Sequence, residues 1–194
     1  MIYFKLHSAY FMDIYRMKTN KTKIILGVTL AVITLFCLYN YSSWTFTSPV
    51  LGSSKRSYDQ KAFGAPRAGH KHKGVDIFAK AGTPVISASK GIVIYTGVFS
   101  LGGNVVVVLG PAFKTHYYAH LEEIQTHAGS IVNNGTQIGT VGNTGNAKNT
   151  PAHLHYSIGT ILPKWMNKKM DALSFYTNPV PLLNNYFDTK AFVE

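Results

Sequence analysis

From residue 74 onward the chain is a succession of short apolar runs broken by glycine: GVDIFA, TPVISAS, GIVIYTG, NVVVVLG, KTHYYAHL, QIGTVG and HLHYSIG. Runs of this length, dominated by Val, Ile and Tyr and bounded by turn residues, predict the antiparallel strands of an all-β domain. Helix is scarce in this part: HLEEI, residues 120–124, predicts at most one turn, and NKKMDALSFY, residues 167–176, a short helix. No repeat of 20–50 residues accompanies the strands.

The N-terminal part has a different pattern. Residues 24–39 read IILGVTLAVITLFCLY, without a charge or a proline. Extended to Tyr41, the run forms about 27 Å of helix, close to the roughly 30 Å of a bilayer's hydrocarbon core. Lys18, Lys21 and Lys23 precede it, so the N-terminus is expected to stay cytoplasmic and the remainder to be exported. Tyr39, Tyr41 and Trp44 suit an interfacial aromatic belt. A cleaved signal peptide is the competing reading, with Met17 as an alternative start, but no Ala-x-Ala-like site follows the run. The predicted organisation is a cytoplasmic segment 1–23, a transmembrane anchor 24–41, a polar linker 42–62, a β-domain 63–180 and a tail 181–194.

The 194 residues carry a formal net charge of +11. After Tyr41 there are 14 Lys and Arg against 7 Asp and Glu, which favours anionic surroundings such as an envelope polymer. These basic residues are scattered and not interleaved with an aromatic RNA-binding signature, so no nucleic-acid partner is expected. Cys37 is the only cysteine and lies in the apolar run, so the exported part has neither a disulfide nor a thiolate metal site. A metal there must be held by His and carboxylate.

Seven of the eight histidines fall between residues 70 and 155, four of them in HKHKGVD and HLHY. On a strand, His153 and His155 project to one face and Leu154 to the other. A catalytic zinc takes three His, Asp or Glu ligands and keeps a fourth position for water. One histidine and Asp76 of HKHKGVD, with one histidine of HLHY, meet that count. Taken singly, each piece has a plainer reading: a surface pair for His153 and His155, a hydrogen-bonded core histidine for His120, simple exposure for His116 and His127, and no role for His7.

Four blocks, HKGVDIFAKAGTPVISASKGIV, YYAHL, IVNNGTQIGTVGNTG and HLHYSI, resemble in order and spacing the motifs of the M23 (lysostaphin/LytM-type) zinc metallopeptidases, which cut peptide cross-links of bacterial peptidoglycan. The resemblance runs from about Phe63 to Gly159. It implies a compact antiparallel β-sheet domain with one Zn²⁺ in a groove across the sheet. It also implies His72, Asp76 and His155 as the metal ligands, with Gly74 between the first two, and His120 and His153 as the catalytic pair flanking the metal-bound water. Loops Ser100–Gly103 and Gly142–Pro151 and the segment after Gly159 are the candidate groove walls. His70 is then an exposed entry residue, and Lys164, Lys168 and Lys169 form a solvated basic face.

A non-catalytic wall-binding or activating module is the rival reading, since some members of the family lack ligands, but all five site residues are present here. A lipoyl-type or biotinyl-type carrier domain shares the glycine-rich texture but leaves the histidines unexplained.

Overall fold

A computed structural model describes residues 21–35, 45–67, 69–160 and 173–191. The chain divides into two compact units, Met1–Ser43 and Trp44–Glu194.

In the first unit, residues 21–35 form helix α1, whose Ile24, Ile25, Leu26, Leu30 and Leu35 are exposed. The Thr29 and Thr34 hydroxyls donate to the carbonyls of Ile25 and Leu30 one turn back, both at 2.8 Å, so the helix satisfies its own polar side chains. At about 1.5 Å per residue α1 is about 22 Å long, and among the described residues no helix is long and apolar enough to cross a membrane. Residues 36–41 of the predicted span lie outside the described residues.

The second unit holds every buried core residue among those described. Its strands are β1 (Pro66–Arg67), β2 (His70–Lys71), β3 (Val75–Phe78), β4 (Pro84–Ile86), β5 (Gly91–Phe99), β6 (Gly103–Leu109), β7 (Lys114–Ile124), β8 (Ile131–Val132), β9 (Gln137–Val141), β10 (His153–Thr160) and β11 (Tyr176–Thr177). Nine of them form one sheet in the order β11-β10-β7-β6-β5-β8, with β3 beside β10 and β9 joining β7 to β4. Strands β1 and β2 form a separate hairpin. All pairings are antiparallel, as the glycine-punctuated runs predict.

Alternation divides the central strands into two faces. Val75, Ile77, Val106, Val108, Tyr118, Leu154, Tyr156 and Ile158 point into the core and are fully buried. On the opposite face lie Asp76, Tyr117, Ala119, His153, His155 and Ser157, the floor of the site. Strand β10 carries this floor because it pairs with β3 over His153–Tyr156 and with β7 over His155–Thr160.

Four expectations need correction. HLEEI is not a helical turn: β7 runs through it to Ile124 and pairs with β9, because Leu121 and Ile124 gain a sheet partner while Glu122 and Glu123 stay exposed. Residues 45–62 are not a free linker. Val50, Tyr58 and Ala62 are buried in the core, and Thr47 and Leu51 donate backbone hydrogen bonds to Ala88 and Pro84. The 181–194 stretch is not a loose tail, since helix α2 (Val180–Ala191) buries Val180 and Leu183 in the same core. Of the predicted helix at 167–176, residues 173–175 form a turn and Tyr176 starts β11, while 167–172 lie outside the described residues.

Candidate metal centre

Register builds the site. His155 stands directly across β10 and β3 from Asp76, so their side chains rise together from that floor. His72 precedes β3 on a loop that lies against β10; a Cβ on Gly74 would come within 2.3 Å of the Tyr156 carbonyl oxygen, so only glycine permits that approach.

Three ligand-type atoms converge. Asp76 Oδ1 lies 2.8 Å from His155 Nδ1 and 3.2 Å from His72 Nε2, and the two nitrogens are 3.1 Å apart. In a tetrahedral zinc site with bonds of 2.0–2.1 Å, ligand atoms stand about 3.3 Å apart, so the triangle closes on one cation with a small expansion. The donor set also fits, since two imidazoles and one carboxylate form a catalytic type of zinc site. Among the described residues, His72, Asp76 and His155 are the group able to hold a metal ion.

Protonation favours the same reading. His72 Nδ1 lies 2.9 Å from the Ala62 carbonyl oxygen, which can only accept, so that nitrogen donates to it and Nε2 is the atom turned toward Asp76 and His155. Burial alone would raise the Asp76 carboxyl, but the hydrogen bonds from His155 and His72 reverse this and hold it far below the usual carboxylate range. Burial pushes the His155 imidazole down, and the Asp76 contact offsets part of the shift. The centre therefore favours an ionised Asp76 carboxylate and a neutral His155 imidazole, the states a cation requires.

His120 and His153 stand over this triangle. The His120 ring centroid is 5.1 Å from that of His153 and 5.9 Å from that of His155, and His153 Nε2 lies 4.0 Å from Asp76 Oδ1. Each is held by its Nδ1, which donates to the Thr144 carbonyl at 2.9 Å for His120 and to the Pro151 carbonyl at 2.8 Å for His153. Both acceptors belong to the loop that follows β9. His120 takes a left-handed backbone, φ 63°, where β7 leaves β10 and turns to β9. Such a conformation in a non-glycine residue costs about 1–3 kcal/mol and is concentrated at functional positions. Burial lowers its imidazole to about 4, and the neighbouring His155 and His153 push the same way.

The predicted His72, Asp76, His120, His153 and His155 are thus all brought together. Exposed His70 lies on β2 and outside the group, and His127 is exposed. His116 corrects the expectation of exposure: it lies on the core face of β7, fully buried, with Nδ1 2.7 Å from the Tyr156 hydroxyl. His7, Lys164, Lys168 and Lys169 lie outside the described residues.

Four contributors were not read from the sequence. Arg67 Nη2 donates to Asp76 Oδ2 at 2.8 Å, leaving Oδ1 for the histidines. Ala62 and Thr144 act through backbone carbonyls, which carry no sequence signal. Tyr117 completes the floor, its ring edge-on to His155 with centroids 6.3 Å apart. Burial raises its phenol, and the nearby phenols of Tyr176 and Tyr95 add to the shift.

Against known proteins, the model of Peptidase family M23 matches residues 70–171. Peptidoglycan DD-endopeptidase ShyA of Vibrio cholerae is 39% identical over 88 residues, covering 45% of this chain and 20% of that protein. Glycyl-glycine endopeptidase ALE-1 of Staphylococcus capitis is 32% identical over 108 residues, covering 55% and 29%. The catalytic domain of lysostaphin from Staphylococcus simulans superimposes with a TM-score of 0.52 at 28% identity, covering 63% of this chain and 86% of that one. The chain thus spans less than a third of the length of these two curated relatives.

Proposed function

Because this chain belongs to peptidase family M23, we propose that it is a zinc-dependent endopeptidase acting on the stem peptides or cross-links of bacterial peptidoglycan. The observation that carries this reading is the convergence of His72, Asp76 and His155 beneath the His120–His153 pair. The names of its relatives, a peptidoglycan DD-endopeptidase and a glycyl-glycine endopeptidase, support the substrate class.

In this reading His72 Nε2, Asp76 Oδ1 and His155 Nδ1 hold the zinc, with Arg67 fixing the free carboxylate oxygen. Zinc bound by such a donor set lowers the pKa of water toward about 7 and polarises a carbonyl. His120 and His153, each tied by Nδ1 to a carbonyl, present Nε2 to the groove. One takes a proton from the attacking water as its oxygen adds to the peptide carbonyl; the other faces the developing oxyanion. The proton then passes to the leaving amine as the C–N bond breaks. The His120 pKa of about 4 keeps that imidazole neutral, and so able to accept a proton, throughout the neutral range.

The same proposal places the uncharged run 24–41 in a membrane, with the peptidase unit exported into the cell envelope. Its support is the uncharged sequence, the preceding lysines and the exposed apolar surface of α1.

Purified chain is expected to bind about one zinc and to release peptides from isolated sacculi. His155→Ala should abolish both, and His153→Ala should abolish cleavage while zinc is retained. Metal-loaded wild type that binds sacculi but leaves every wall peptide intact would instead identify a non-catalytic binding or activating module.

A further inference from the structure

Three other phenols of the peptidase unit have protein partners. Tyr58 donates to Asn184 Oδ1 at 2.8 Å, Tyr118 accepts the Ala88 N–H at 2.9 Å, and Tyr156 bonds His116 Nδ1 at 2.7 Å. Tyr117 is partly buried beside the metal centre, its ring edge-on to His155, and its hydroxyl, like that of Tyr95, makes no hydrogen bond among the described residues. Phenols taken out of water ordinarily find a partner.

Register specifies where this hydroxyl stands. Tyr117 pairs with Ser157 on β10 and with Val107 on β6, and Val107 pairs with Tyr95 on β5, so Tyr95, Val107, Tyr117 and Ser157 form one row across the floor. Ser157 is one same-face step from His155, about 6.8 Å along the strand. The phenol oxygen reaches beneath the β5–β6 turn, where a Cβ on Gly102 would lie 2.3 Å from it. Gly102 also accepts the His120 N–H at 2.8 Å, so the phenol is seated between the ligand His155 and the wall that bears on His120.

We propose that Tyr117 is a substrate-positioning and specificity residue, whose hydroxyl donates to a main-chain carbonyl of the bound peptide beside the scissile bond. The phenol offers a single neutral O–H donor. A carbonyl matches it because this donor is uncharged and the row around it, Tyr95, Val107 and Ser157, carries no cation. The inference rests on the peptidase reading of the metal centre and adds to it a contact next to the reacting bond.

Tyr117→Phe tests this, since it removes one oxygen and keeps the ring against His155. With the metal-loaded full chain and a soluble cross-linked peptide dimer prepared from sacculi, KM is expected to rise about five- to tenfold, the loss of one hydrogen bond, with a smaller change in kcat. Zinc content and melting temperature should be unchanged. The same dimer is then titrated onto the His120→Ala protein with and without Tyr117→Phe, where Kd should rise by the same factor. KM and Kd both unchanged in Tyr117→Phe would overturn the proposal while leaving the peptidase reading intact. Wild type that binds the dimer without cutting it would refute the peptidase reading, and the Kd comparison would still decide Tyr117. A wild type that neither binds nor cuts the dimer would overturn both.

Discussion

His116 and His120 sit four residues apart on one strand, and their fates differ because of backbone geometry. His116 keeps the alternation of β7 and is driven into the core with Tyr118, while the left-handed turn at His120 delivers its ring to the groove. The His116 imidazole, fully buried with Nε2 lacking a partner, is held down to about 4 by burial and secondarily by Lys114. Its folded pKa lies below the ordinary 6.5, so as pH falls the unfolded chain binds the proton first. Stability from this group is complete above about pH 6.5 and is lost as pH falls toward 4, the loss approaching about 3 kcal/mol. Urea unfolding of metal-loaded protein at pH 7, 5.5 and 4.5 should show a shallower decline for His116→Phe than for wild type; parallel profiles would clear the imidazole of the effect. No local pattern distinguishes His116 from an exposed histidine, because the buried face of β7 is decided by its partners. His72, Asp76 and His155 were named through the resemblance of HKGVD, YYAHL and HLHY to the M23 motifs; the residues alone left open which histidine of each pair joins Asp76.

At the scale of elements, two loops clasp each other above the site. Asn104 N donates to Thr144 Oγ1 at 2.9 Å, and Asn146 N donates to the Leu101 carbonyl at 3.0 Å. Gly103 has φ 63°, and a Cβ there would lie 2.2 Å from Thr144 Oγ1 and 2.5 Å from Gly145 N. The Thr144 carbonyl holds His120 Nδ1, so the clasp sets the position of that imidazole. Gly103→Ala should therefore lower kcat/KM at least tenfold while zinc content stays near one, since small misplacements of a reacting group are costly; full activity would show that the loops yield without moving His120. The seven apolar runs were legible as strands because Val, Ile and Tyr between glycines suit little else. Helix α2 was not, since NPVPLLNNYFDTKA shows two prolines and a weak apolar stripe, and its burial depends on the surface it meets.

At the scale of the whole molecule, the peptidase unit begins well before its recognisable motifs. Phe46, Val50, Tyr58 and Ala62 join the core from a stretch that is polar on average and without periodicity, which is why it reads as a linker. Ala62 also supplies the carbonyl that orients His72. A chain beginning at Phe63 should bind zinc about 10- to 100-fold more weakly than one beginning at Thr45, by loss of a ligand's supporting hydrogen bond. It should also melt at lower temperature, having lost the buried side chains of Val50, Tyr58 and Ala62. Chelator competition and thermal unfolding measure the two effects, and equal affinities would show that the N-terminal stretch is dispensable. The position of β10 has a further consequence, in time rather than in space. This strand lies between β3 and β7 and pairs with both, and its His155 comes 83 residues after His72. A chain threaded N-terminus first thus shows His72, Asp76 and His120 long before the residue that unites them. The metal-binding triangle comes into being only with the closing of the sheet, so a chain still short of β10 has no complete centre.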